Sequence, residues 1–102
     1  MGYFTIEPLF PLGEILLSPA VIALEIDVSP QLRWHQAGDW GDICPEDIIA
    51  NNKAVADGEA ILSQYLITTR SGKSELLVIM SEEDRSITVA MLEWEFATPY
   101  GG

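Results

Sequence analysis

Residues 61–96 read ILSQYLITT, RSGKS, ELLVIM, SEEDRS and ITVAMLEWEF in succession: three β-prone runs parted by two turn sequences. β-Branched and aromatic side chains fill the runs, and a Gly-containing segment and a charged one punctuate them. The pattern predicts a three-stranded antiparallel meander with strands Ile61–Thr69, Glu75–Met80 and Ile87–Phe96. Residues 70–74 form its hairpin loop and residues 81–86 its charged turn. The alternation is apolar on both sides. Leu76, Val78 and Met80 share one face of the second run, with Leu77 and Ile79 on the other. In the third run Ala90, Leu92, Trp94 and Phe96 share a face opposite Ile87, Val89 and Met91. A sheet apolar on both faces has to be covered twice. Helices supply one cover, and an N-terminal arm or a second subunit supplies the other. Glu93 and Glu95 continue the second face as charges, so that cover is expected to stop near Met91.

Upstream of Gly58 helix starts and turns dominate. Ser18-Pro19 is a helix N-cap followed by proline at the first helical position, predicting a helix from Pro19 to about Asp27. Ser29-Pro30 repeats the device for a helix to about Ala37, ended by Gly38. The stretch from Gly38 to Asp42 is turn chemistry around a large anchor, Trp40. Cys44-Pro45-Glu46-Asp47 opens a third helix with two carboxylates where the helix dipole favours them, and Asp57-Gly58 closes it. Ile48, Ile49, Val55 and Ala56 recur at helical spacing and are expected to face the core. Asn51 and Asn52 sit mid-helix, and one of them is expected to bond the loop around Trp40. Residues 3–10 are aromatic and β-prone but run into Pro8 and Pro11, which suits an edge strand or extended arm. The prediction is one α+β domain over residues 1–102: an arm or edge strand over 1–17, two or three short helices over 18–58, and the meander over 60–97.

Composition agrees with a single core. The 102 residues are 48% hydrophobic, enough for a domain that needs no disulfide or metal staple. Cys44 is the lone cysteine, which excludes an internal disulfide and a four-thiolate zinc site. Before Arg33 the α-amine is the only positive charge, and the apolar run Ile15–Leu24 is broken by Ser18-Pro19. A secretory leader and a bilayer span are therefore not expected, and the cytoplasm is the predicted compartment. Sixteen acidic residues against five basic ones give a net charge of -11. Such a field repels nucleic acid and anionic membranes and attracts basic protein surfaces. Direct nucleic-acid binding needs cations to displace phosphate counterions, and five scattered ones do that poorly.

Several blocks occur in an order that resembles one family. They are His35 with Gly38-Asp39-Trp40-Gly41-Asp42, then Glu46-Asp47, Asn51, Ala54 and Asp57-Gly58, then Ile61-Leu62-Ser63 with Tyr65, and finally Ser81-Glu82-Glu83-Asp84-Arg85-Ser86 with Thr88. Together with Leu12-Gly13-Glu14-Ile15 and Ser18-Pro19-Ala20 they are similar to the small bacterial proteins labelled "plasmid-related protein". The likeness covers roughly residues 12–92. It implies a mobile-element setting and a bacterial cytoplasm, and it brings no settled activity. The chain departs from the family's pattern at Leu77-Val78-Ile79, at Met91–Phe96 and in the tail Pro99–Gly102.

The candidate chemistry is sparse. His35 with Asp39, Asp42, Glu46 and Asp47 is the set from which a divalent-metal site or an acid-base pair would be built. The plainer reading is turn caps, helix-dipole partners and a histidine near a helix C-terminus. Cys44 at a helix start is placed where a thiol pKa falls, but no base stands beside it in sequence. Gly101-Gly102 resembles a modifier tail, although helices preceding a meander do not follow the β-grasp order. The sequence thus predicts a non-enzymatic interaction protein without cofactor or metal. Its partner is a protein with a basic surface, met by Asp39, Asp42, Glu46, Asp47, Glu82, Glu83 and Asp84. Trp40, Asn51 and Trp94 are its structural anchors. The function expected first is inhibition or modulation of a nucleic-acid-handling host protein, in the manner of anti-restriction or anti-CRISPR proteins. A structural homo-oligomer, such as a homodimer, or an accessory subunit is the second reading. A metal-dependent hydrolase using His35 and Asp39 or Asp42 is the third.

Overall fold

The computed structural model describes residues 8–97; the arm expected over residues 3–10 lies largely outside these, as does the tail at Pro99–Gly102. The fold is α+β, with four helices and a four-stranded mixed sheet. Ser18 caps α1 (Pro19–Leu24), its hydroxyl accepting from Val21 N at 3.2 Å. This helix stops short of Asp27 because Glu25 turns into the left-handed region at φ 53°. Two more helices follow, α2 (Ser29–Ala37) and α3 (Pro45–Asp57), each with a proline at its start and closed by a left-handed glycine; in α2 the cap position falls on Val28, so Ser29, expected as the cap, is instead the first helical residue ahead of Pro30.

The sheet corrects the predicted three-stranded antiparallel meander. Its order is β1-β4-β3-β2, with β1 at Glu14–Leu17, β2 at Ile61–Thr68, β3 at Ser74–Ser81 and β4 at Ile87–Leu92. The last three are antiparallel neighbours, but β1 lies parallel to β4, with Glu14 opposite Ile87 and Leu17 opposite Ala90. The added edge strand is therefore 14–17, and residues 8–13 form no strand. A short apolar run ahead of a helix cap has no period by which to read it. Register to β4 is set instead by hydrogen bonds from Glu14 N to Ser86 O and from Ser18 N to Ala90 O, both 2.9 Å.

A second correction concerns the end of the third run. β4 stops at Leu92 and the chain turns into α4 (Glu93–Ala97). Glu95, read as an outward strand residue, folds back instead. Its carboxylate accepts from Leu92 N at 2.8 Å and from the Ser18 hydroxyl at 2.6 Å, capping the turn and tying it to the start of α1. The third correction is the rotation of α3. Ile48 and Ile49 are 39% and 69% exposed, whereas Asn51 and Ala54 are buried. Asn51 sets that rotation by meeting both backbone groups of Leu62, donating to its carbonyl at 2.7 Å and accepting from its N–H at 3.3 Å.

All three longer helices pack on the same face of the sheet. Val21 and Leu32 join Tyr65, Ile67, Leu77, Ile79, Ala90 and Leu92 in one cluster. Ala54 joins Phe10, Trp40 and Ile61 in a second. The edge of β2 is closed by the loop the sequence marked around Trp40. Gln64 N donates to Trp40 O, Asp42 N to Gln64 O, and Leu66 N to the Asp42 carboxylate, at 3.1, 2.6 and 3.1 Å. An occupied edge cannot pair with a foreign strand. Gly41 makes the approach possible: its φ is 75°, and a Cβ there would strike the Gln64 carbonyl and the Tyr65 ring. Gly41→Ala is thus expected to lower stability by about 2–4 kcal/mol, through left-handed strain plus overpacking. Gly58→Ala, equally left-handed but facing open space, should cost only about 1–2 kcal/mol. Urea midpoints of the two variants measure the difference.

Candidate functional site

Two polar constellations stand out, one sealed and one exposed. The sealed one centres on His35, which is 0% exposed at the base of α2. Its Nδ1 meets the Ser63 hydroxyl at 2.5 Å and its Nε2 the Ser81 hydroxyl at 2.9 Å. Ser81 and Thr88 are 2.7 Å apart, and Thr88 donates to the Leu12 carbonyl at 2.7 Å. That last bond orients the others. Thr88 spends its proton on Leu12, so Ser81 donates to Thr88, His35 Nε2–H donates to Ser81, and Ser63 donates to Nδ1. Phe10 and Trp40 stand edge-on to the imidazole, with ring centroids 5.3 and 5.8 Å away. Burial, aided by the Arg85 charge, pulls the His35 pKa down to about 4.

Both ring nitrogens of His35 are taken by serine hydroxyls, so the imidazole is not free for Asp39 or Asp42. Among the described residues no three His, Cys, Asp or Glu side chains gather as a metal site requires. Asp39 and Asp42 are occupied in the β2-edge loop: Asp39 accepts from Gly41 N through its carboxylate and from the Tyr65 hydroxyl through its carbonyl, at 3.3 and 2.6 Å. Burial of that phenol pushes its pKa up to about 12. The thiol of Cys44 is exposed, and hydrogen bonding to the Asp47 and Glu46 carboxylates raises its pKa, opposite to the lowering its helix-start position suggests. An open cleft of about 240 Å³ beside Pro8, Arg33, Trp34, Gln36 and Ala37 falls below the ~300–1,000 Å³ of small-molecule sites.

The exposed constellation lies where α3 ends and β1 and β4 begin. Arg85 holds it together: its guanidinium donates to the carbonyls of Ala54, Glu59 and Glu82 at 2.9, 2.6 and 2.9 Å. It also lies 5.3 Å from the centroid of the Phe10 ring. The tie brings the β3–β4 turn, with Glu82, Glu83 and Asp84, against Asp57 and Glu59. Glu14 joins them through its backbone bond to Ser86. All six of these acidic residues are exposed. Asp84 is held below the usual carboxylate range by its bonds to the Ser86 hydroxyl and N–H, at 2.6 and 3.0 Å. Even with Arg85 and Lys53 both counted, this end carries four more negative than positive charges. Arg70 and Lys73 lie at the opposite end of the sheet, in the β2–β3 hairpin. Among the described residues the ion pair within 4 Å is Lys73–Glu75, at 3.9 Å, so the acidic end is not masked by salt bridges.

The seven predicted partner residues therefore fall into two groups. Glu82, Glu83 and Asp84 sit at the C-terminal end of α3. Glu46 and Asp47 sit at its N-terminal end, near Asp39 and Asp42, a helix length of about 20 Å away. Sequence reading missed Glu14, Asp57 and Glu59, which reach the acidic end only through the fold. It also missed Ser63 and Ser81 as partners of His35, although polar residues at inward strand positions were a visible signal. Of the predicted anchors, Trp40 is buried and its indole donates to Asn52 at 3.0 Å, Asn51 is buried against β2, and Trp94 on α4 is 51% exposed.

Comparison with protein-family models, with curated proteins and with solved structures yields no match. No helix among the described residues is long and apolar enough to cross a membrane.

The buried histidine makes a pH prediction. With a folded pKa near 4 against 6.5 unfolded, the unfolded chain binds the extra proton between those values. Stability should therefore fall as pH drops from 6.5 towards 4, by up to about 3 kcal/mol from this group. Carboxylate titration is common to the protein and its His35→Gln variant. The difference between their urea midpoints from pH 7 to pH 4.5 isolates the histidine and should shrink steadily.

Proposed function

We propose that the protein is a non-enzymatic interaction protein whose acidic end docks on a basic surface of a nucleic-acid-handling protein and modulates it. The observation that carries this reading is the convergence of Glu14, Asp57, Glu59, Glu82, Glu83 and Asp84 around Arg85, with no ion pair among the described residues to screen them. A coherent negative surface raises the encounter rate with a positive one and repels wrong partners. Surfaces that hold nucleic acid are positive by necessity, since they neutralise phosphates. The likeness to plasmid-related proteins supplies a mobile-element setting in a bacterial cytoplasm, where restriction or interference nucleases are such targets. The partner is a protein, and neither a cofactor nor direct contact with nucleic acid enters the proposal.

The test is capture from a nuclease-treated bacterial lysate on the immobilised protein, at low salt and at about 0.5 M, where charge is screened within a few ångströms. Basic nucleic-acid-binding proteins should be retained at low salt and released at high salt. The triple variant Glu59→Lys, Glu82→Lys, Glu83→Lys should lose them by about ten- to a hundredfold in affinity. Equal retention by that variant would reject the acidic end as the docking surface.

A further inference from the structure

The sheet has two edges, and the fold treats them differently. The outer side of β2 is closed by the Trp40–Asp42 loop, whereas β1 forms the other edge with no strand beyond it. Glu14 N and Ser18 N are bonded to β4, so the alternation of a parallel ladder turns the N–H and C=O of Ile15 and Leu17 away from it. Among the described residues no hydrogen bond reaches those outward groups. The side chains are open as well: Ile15, Leu16 and Leu17 are 44%, 41% and 40% exposed. Edges meant for solvent are blunted by lysine, proline, a bulge or a covering segment. β1 carries no lysine, proline or bulge. Free backbone groups beside three successive apolar residues are what a strand-addition site presents.

We propose that the outer edge of β1 receives an extended strand of the basic partner, in which three apolar residues are followed by lysines or arginines. This rests on the acidic end being the docking surface, and it continues that surface along the sheet. The edge begins at the acidic end. Glu14 N bonds Ser86 O at 2.9 Å, and Gly13, at φ 68°, lies so close that a Cβ would strike the carbonyls of Arg85 and Ser86. An antiparallel strand, the stronger pairing, passes Leu17, Leu16 and Ile15 before it reaches Glu14 and the turn holding Glu82, Glu83 and Asp84. Apolar side chains suit the first three positions and cations those that follow. The partner residues opposite Leu17 and Ile15 each exchange both backbone bonds with β1, which fixes direction and register.

Other occupants fit less well. An edge of four residues is about 14 Å long. Two copies meeting there alone fall well short of the roughly 1,000 Å² of a specific interface, and each brings a charge of -11. Residues 1–7 join at Pro8, whose neighbour Leu9 is bonded to Gln36. That point is next to His35, which meets β2 and β3, with β4 between them and β1. Residues 98–102, Thr-Pro-Tyr-Gly-Gly, lack the β-prone run a strand needs.

Fluorescence anisotropy of the full chain with a labelled peptide, TVIVKRK, tests this. It should bind about tenfold more tightly than GSGSKRK, which keeps the cations and lacks the strand residues. Methylating the backbone nitrogens of the two valines, which face Leu17 and Ile15, should remove that gap. Methylating those of the isoleucine and the first lysine, which point away, should preserve it. Ile15→Pro takes an outward donor from β1 and none from its bonds to β4, so it should also remove the gap with circular dichroism unchanged. Equal binding of the two peptides would overturn the proposal, as would indifference to methylation of the valines, a result that does not depend on how the variant folds. The triple lysine variant at Glu59, Glu82 and Glu83 separates this inference from the reading it rests on, and should weaken both peptides alike. If it has no effect while Ile15→Pro does, strand addition stands and the acidic docking surface falls; the reverse pattern rejects strand addition alone. Sedimentation at twice 11.2 kDa, reverting to the monomer mass in Ile15→Pro, would make a second copy the occupant and overturn the proposal.

Discussion

The buried hydroxyl–imidazole chain is the constraint on which the rest of this fold depends. His35, Ser63, Ser81, Thr88 and the Leu12 carbonyl belong to α2, β2, β3, β4 and the segment leading into β1. Each buried polar group has a partner only if all five pieces hold their places. An unmet hydroxyl or imidazole in a dry core costs about 1–3 kcal/mol, so a slip of one strand register or a tilt of α2 is penalised several times over. Apolar packing alone is more tolerant, since it accepts many arrangements of similar volume. The polar chain selects one of them. It also fixes the approach of residues 10–12, and with it the parallel placement of β1.

Arg85 does for the rim what His35 does for the interior. Among the described residues its guanidinium has no carboxylate within ion-pair reach, and it spends its donors on carbonyls at the end of α3 and in its own turn. The cation thereby becomes an internal clamp, and the neighbouring carboxylates keep their charge facing solvent. The β2 edge is treated with the same economy of groups: Asp42 and Asn51, both polar, satisfy strand backbone that would otherwise invite pairing. One edge is thus closed and one end negative, while the outer sheet face remains apolar.

Much of this was legible in the residues. Ser18-Pro19, Ser29-Pro30 and Pro45 announce helix starts because proline suits a first turn, and Gly38 and Gly58 end two helices because only glycine turns left-handed without strain. The β2 and β3 runs and their hairpin follow from two β-prone apolar stretches parted by a Gly-containing turn. The errors came where a local pattern has two meanings. Glu14–Leu17 is too short to show a period, and its pairing with β4 spans more than 70 residues of sequence. Glu93–Ala97 alternates like a strand, but Glu95 finds Leu92 N and Ser18 and turns the chain into a helix. Ile48 and Ile49 are consistent with a buried stripe, but Asn51 outranks them because its two bonds to Leu62 fix the helix rotation.

The candidate surfaces divide along the same line. Sequence by itself determined the α+β class, the helix boundaries set by proline and glycine, the acidic balance and the double-sided hydrophobicity of the sheet. These depend on residues within a turn or two of one another, or on composition alone. Tertiary structure decided that Glu14, Asp57 and Glu59 join Glu82–Asp84, that His35 faces serines and not aspartates, and that the three longer helices share one sheet face. Each of these is a contact between segments far apart in the chain. Which distant groups meet is set by the register and handedness of the packed sheet, information that no local spacing contains.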